Sequence, residues 1–175
     1  MVVAVLGSVD ALASGATCLL PFRNLQTFDA EPASAVMTCY EKSPTCRRII
    51  DEIEMSTTVL LIRHGECEPG KGGSCLRFAR TLPEVRYLYV VLDRNLLGRY
   101  LLGAMAHELQ HALEVVRAPE VVDVTSLRSL YKRIGFFQYA SREREVWETE
   151  EARRIASVVC KEIRQSQKTA AAAHE

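Results

Sequence analysis

The chain has 175 residues and is 48% hydrophobic, enough for one core and too little for two comfortable domains. Lys+Arg and Asp+Glu number 22 each, so the formal net charge is zero. That balance excludes a partner captured by bulk charge, such as nucleic acid or an anionic membrane surface.

Residues 1–9 are apolar, and Ala11-Leu12-Ala13 resembles an A-x-A cleavage site, but no Lys or Arg precedes Arg23. The apolar stretch is too short to span a bilayer. Residues 1–35 therefore read as a leader and linker with a weak signal-like character. Export is the expected localisation, with the cytoplasm as the alternative. Six cysteines bear on the same question. Cys39 and Cys46, and Cys67 and Cys75 around a Gly-rich turn, are local bridges in an exported protein and ordinary thiols otherwise. No C-x-x-C occurs, which disfavours a cysteine zinc site. His64-x-x-Cys67 has ligand-like spacing but little else to support it.

The expected single domain covers residues 36–167. Its first firm helix opens at Ser43-Pro44-Thr45, with Ser as cap and Pro in the first helical position, and runs to Glu54. Residues 57–62, 76–81 and 86–93 read as strands, with the glycine-rich turn 66–74 between the first two. Together they predict an α+β fold with a small, mainly antiparallel sheet. A helix follows over 96–116 and ends before Pro119. A short helix over 125–134 stops at Gly135, and 135–140 reads as a loop. Ser141 is the expected cap of a last helix reaching about Gln165, with Arg142-Glu143-Arg144-Glu145 as its solvated start. The alanine-rich tail, 168–175, reads as disordered.

The motif that carries chemistry is His107-Glu108-Leu109-Gln110-His111. Residues four apart share a helix face, about 6 Å apart along the axis. Two imidazoles so placed can hold one Zn²⁺, and the Glu beside them can reach a water on the metal. With 4 His and 17 Glu, chance gives this pattern in roughly 1% of such chains, so its surroundings must support it. On a helical wheel with His107 at zero, His111 falls at about 40° and Tyr100 at about 20°. Leu101, Met105, Leu109, Ala112, Leu113 and Val116 centre near roughly 170°. The histidines thus lie off the apolar stripe, while Gly103 and Ala104 leave room for another segment.

A hydrolytic zinc takes a third protein ligand, and this helix lacks the third His of the extended metzincin pattern. Read as a helix, the C-terminal segment has an apolar arc through Trp147, Ala152, Ile155, Ala156, Val158, Val159 and Ile163. Glu148 lies near the centre of that arc, where a carboxylate needs a cation or a metal. Glu148 is the favoured ligand. Glu151 and Glu114 are alternatives, and a salt bridge to an arginine is the bland reading of Glu148. A preformed site requires its carboxylate about 3–5 Å from both imidazoles.

These residues resemble the gluzincin branch of zinc metallopeptidases: an H-E-x-x-H helix followed by a glutamate on a later helix. Residues 106–116 (AHELQHALEVV), Trp147-Glu148-Thr149 and residues 43–48 (SPTCRR) also resemble small bacterial zincin-like proteins. The resemblance spans roughly residues 43–165. Thermolysin-like enzymes carry an Asp four residues after the ligand Glu, where this chain has Ala152. The resemblance implies zinc on His107, His111 and Glu148, Glu108 as general base, and hydrolysis of peptide bonds. It also implies a substrate strand added beside an edge strand, for which 86–93 has the right place in the order. Tyr131 and Tyr139 are candidate oxyanion donors. The alternative is a catalytically inactive domain with structural zinc that binds another protein, and a third possibility is a binding domain whose motif is coincidental.

Overall fold

The computed structural model describes residues 18–67, 73–141 and 144–172, and the possible leader 1–17 lies outside them. In chain order the elements are β1 (Leu25–Thr27), α1 (Ala30–Lys42), α2 (Pro44–Glu54), β2 (Thr58–His64), β3 (Ser74–Leu82) and β4 (Val85–Leu92). They are followed by α3 (Gly98–Val116), α4 (Val124–Ile134), β5 (Phe136–Ser141), β6 (Arg144–Glu148) and α5 (Glu150–Ala172). The α+β class agrees with the sequence reading.

The sheet does not follow the expected pattern. Its order is β1-β2-β4-β3, with β1/β2 and β2/β4 parallel and only β3/β4 antiparallel. Residues 18–35, read as linker, belong to the fold. Leu25 is fully buried in β1, and Val36 and Cys39 of α1 are buried in the core. The helical crossover through α1 and α2 is what allows β1 and β2 to run parallel. The strand over 86–93 is interior, between β2 and β3, so the edge beside α3 is β3.

Alternation explains the core face of the sheet. Leu60 and Ile62 of β2 and Leu88, Val90 and Leu92 of β4 point to one side and are buried against the helices. Met105, Leu109, Ala112 and Val115 of α3 meet them, also buried. Helix α3 also packs against α5, where a Cβ on Gly103 would touch Cys160 Sγ at 3.4 Å. The small residues of that face thus let α5 lie close.

Local capping is explicit. Ser43 accepts a hydrogen bond from the Cys46 N–H at 3.0 Å, with Pro44 first in α2. Asp123 and Ser126 form a capping box at α4. The C-terminus of α3 is held by Arg86, whose guanidinium donates to the carbonyls of Val115 and Ala118 at 2.9 Å and of Val116 at 3.2 Å.

The largest departure lies between α4 and α5. The segment read as a loop and a helix start is a hairpin, with Phe136 opposite Glu148 and Phe137 opposite Trp147. Ser141 lies in β5 rather than at a helix start; Thr149 opens α5, accepting from the Ala152 N–H at 3.1 Å. Arg144 and Glu145 belong to β6, while Arg142 and Glu143 lie outside the described residues. Helix α5 continues through Ala172, so 168–172 are helical rather than a disordered tail. Cys67 and Cys75 form a disulfide, and Cys39 and Cys46 are buried free thiols. Among the described residues, no helix is long and apolar enough to cross a membrane.

Candidate metal centre

Helix geometry puts His107 and His111 one turn apart on α3, their Nε2 atoms 3.1 Å from each other. The face they occupy is not open. The hairpin and α4 cover it, leaving His111 only 6% exposed and the His107 side chain 20% exposed. The wheel correctly put the histidines off the sheet-facing stripe, but a second layer buries them.

Glu148 comes into this layer at the end of β6, not on the final helix. Its Oε2 is 3.3 Å from His107 Nε2 and its Oε1 3.2 Å from His111 Nε2. Ligand atoms of the three residues all lie within 4.8 Å of one another, close enough to hold a metal ion. The carboxylate is further fixed by the Thr149 N–H at 2.8 Å, with Gln138 Nε2 at 3.4 Å and Arg153 Nε at 3.8 Å on its more exposed side. Gly135 makes the approach possible. A Cβ there would sit 2.5 Å from the Glu148 carbonyl oxygen and 2.9 Å from that of Tyr131. The glycine that stops α4 is thus required by the backbone of a candidate ligand.

Electrostatics tie the group together. Burial alone would lower the His111 pKa, but hydrogen bonds to Glu114 and Glu148 outweigh it and raise it to about 10. Burial pushes the Glu148 carboxyl up, and the His111 hydrogen bond and the His107 charge bring it below the ordinary value. The lone pairs that take up these protons are the ones a metal ion would compete for.

Glu108 is 2% exposed. Ser74, at the start of β3, donates its hydroxyl to Glu108 Oε1 at 2.7 Å. Glu108 Oε2 is buried with no hydrogen-bond partner among the described residues. Its charge is nonetheless felt at His111.

The remaining candidates separate cleanly. Glu114 bonds His111 Nδ1 at 2.9 Å and lies behind the ligand rather than in the metal group. Glu151 is an exposed partner of Arg154. Tyr131 stacks edge-on against His111, and its hydroxyl donates to the His111 carbonyl at 3.3 Å, so it is committed to the helix backbone. Tyr139 is 41% exposed on β5, and Tyr100 is 64% exposed, its hydroxyl accepting a hydrogen bond from Arg99. His64 pairs with Glu31 and Cys67 is in a disulfide, so that spacing makes no metal site. Sequence reasoning missed Ser74, Thr149, Gln138 and Arg153.

The chain matches no protein-family model, no curated protein and no solved structure.

Proposed function

We propose that the protein is a zinc-dependent metallopeptidase of gluzincin type, with zinc on His107, His111 and Glu148 and Glu108 as general base. The donor set supports zinc. Two imidazole nitrogens and one carboxylate suit Zn²⁺ better than Mg²⁺ or Ca²⁺, which prefer all-oxygen shells. Atoms bound at about 2.0–2.1 Å to a tetrahedral ion lie about 3.3 Å apart. The three contacts here are 3.1, 3.2 and 3.3 Å. Zinc in such a site polarises a carbonyl and makes a water nucleophilic near neutral pH.

The observation that carries the catalytic reading is Glu108. A structural zinc site needs no carboxylate beside its first histidine, least of all one buried with a free oxygen. Ser74 holds Oε1, which leaves Oε2 as the atom that takes a proton from the attacking water and later passes it to the leaving amine. Tyr131 is committed elsewhere, so Gln138 and Arg153, which offer hydrogen-bond donors beside Glu148, join Tyr139 as candidates for the oxyanion role. An extended peptide would add to the outer edge of β3, the strand that carries Ser74. The Cys67–Cys75 disulfide supports an oxidising compartment and hence export.

The test compares wild type with Glu108→Gln on a peptide library, with zinc content measured in both. Stoichiometric zinc in both and cleavage reduced about 10²–10⁴-fold in the variant is the expected outcome. Stoichiometric zinc with no cleavage by the wild type would favour the structural, protein-binding reading. A protein that takes up no zinc and is indifferent to chelator would remove both.

A further inference from the structure

Glu114 is a carboxylate with a 10% exposed side chain, three residues after His111 on α3. Such a group must be surrounded by donors, and the structure supplies them from both metal-bearing segments. Its Oε2 faces His111 Nδ1 at 2.9 Å. Its Oε1 accepts from the Thr149 hydroxyl at 2.8 Å and from Gln110 Nε2 at 3.5 Å.

Each of these bonds constrains a ligand. An ionised carboxylate only accepts, so His111 must carry its proton on Nδ1 toward Glu114. In the neutral ring this leaves the Nε2 lone pair pointing at His107 and Glu148. Thr149 follows Glu148 directly, and its N–H donates to Glu148 Oε1 at 2.8 Å. The Thr149 hydroxyl gives its one proton to Glu114 and accepts the Ala152 N–H at 3.1 Å, fixing the first turn of α5. A continuous chain of bonds therefore runs from His111 through Glu114 and Thr149 to Glu148.

We propose that Glu114 is a positioning residue that braces two of the three ligands at once, setting the tautomer of His111 directly and the seat of Glu148 through Thr149. The proposal rests on the metal reading of the site but not on peptide hydrolysis. It accounts for a buried acid that the hydrolytic scheme leaves unused. Partners one step behind a metal histidine fix its orientation, and losing one weakens metal binding by about 10- to 100-fold. The coupling through Thr149 is particular to this arrangement. It predicts that Glu114 and Thr149 act as one unit.

The test measures zinc affinity by chelator competition, and the visible absorption of the Co²⁺-loaded protein. The proteins are wild type, Glu114→Gln, Thr149→Val, Thr149→Ser and the Glu114→Gln/Thr149→Val pair. Expected are an affinity loss of about 10- to 100-fold and an altered Co²⁺ spectrum in Glu114→Gln. Thr149→Val should lose less, Thr149→Ser should restore near wild-type behaviour, and the double variant should lose no more than Glu114→Gln alone. Glu151→Gln, which removes only an exposed ion pair, serves as the control. If Glu114→Gln does not fold, Thr149→Val against Thr149→Ser still reads the coupling. Wild-type affinity and spectrum in Glu114→Gln, or full additivity of the pair, would overturn the brace. A wild type that binds metal but cleaves nothing would remove the peptidase reading and leave the brace to be judged on affinity. A wild type that binds neither Zn²⁺ nor Co²⁺ would remove both.

Discussion

Glu148 and Glu162 are two carboxylates of the C-terminal segment that meet opposite kinds of partner. Glu162, on α5, faces the start of α2. The Ser43 hydroxyl donates to its Oε2, and the Thr45 hydroxyl and N–H donate at 2.8 and 3.2 Å. These are neutral donors at a helix N-terminus, where the backbone dipole favours a negative charge. All three of these bonds serve capping, and none of the partners is a group that could share a cation with the carboxylate. Glu148 meets two imidazoles instead, which carry lone pairs of their own. Glu148 is buried and Glu162 half-buried, but the degree of burial does not say what either carboxylate is for. The chemistry of the partners does.

The largest effect expected is a crossover between these two positions. Zinc at about a thousand times its dissociation constant stabilises a protein that binds it only when folded by about 4 kcal/mol. Wild type should show a gain of that order in denaturant titrations with and without metal. Glu148→Gln should abolish the gain. Glu162→Gln should keep the gain but lower stability by about 1–3 kcal/mol in both conditions, through the donors it strands at α2. Loss of the metal response in Glu162→Gln would mean that the α2 cap and the metal group are one cooperative unit, and the contrast would fail.

A smaller effect should come from Gly135, which touches only one side of the comparison. Its Cβ would collide with the Glu148 carbonyl oxygen at 2.5 Å, a backbone atom that cannot swing aside. Gly135→Ala should cost about 1–3 kcal/mol of stability, as overpacking does. It should also reduce metal uptake, while a Gly103→Ala change, meeting Cys160 Sγ at 3.4 Å, should leave uptake intact. Isothermal titration with zinc distinguishes the two.

How much of this was legible depends on the distance over which each feature is encoded. The H-E-x-x-H helix was readable because helical spacing is local, and α3 ends at the expected Val116. Glu148 reads as helical in the sequence and stands at the end of a strand in the structure. The sequence over 141–149 fits a helical period, but Arg144–Glu148 pair with Phe136–Ser141, and tertiary pairing overrides the helix-favouring run of charged residues. The carboxylate still lands inside, because alternation in a strand puts Val146 and Glu148 on one face. The aromatic residues Phe136, Phe137, Tyr139 and Trp147 were the signal for strands. Ser74 had no local signal at all, since its bond to Glu108 joins residues 34 apart. The parallel pairing of β1 with β2 was equally hidden, because it depends on a crossover that begins in a segment taken for linker.

The smallest expected effect is on pH dependence, and it sharpens the same contrast. In chelated protein, a His111 pKa raised from 6.5 to about 10 contributes stability that is complete below pH 6.5 and is lost as pH rises toward 10. Glu148, lowered from 4.5, contributes stability that is complete above 4.5 and is lost as pH falls through its folded value. Since these describe one interacting pair, their contributions are not summed. Chelated wild type should be most stable between about pH 4.5 and 6.5 and lose a few degrees of Tm toward pH 10. Glu148→Gln should make the alkaline limb shallower without removing it, because the Glu114 bond, the larger of the two that raise His111, stays in place. Glu162→Gln should leave that limb unchanged and soften only the acid one, because Glu162 is also lowered by its hydrogen bonds from Ser43 and Thr45 against the opposing push of burial. Zinc should reverse the slope near neutrality: protons compete with the metal for the imidazoles, so the Tm gain on adding zinc should grow from pH 6 to pH 8. A gain that is independent of pH would mean that the imidazoles are not what the metal binds.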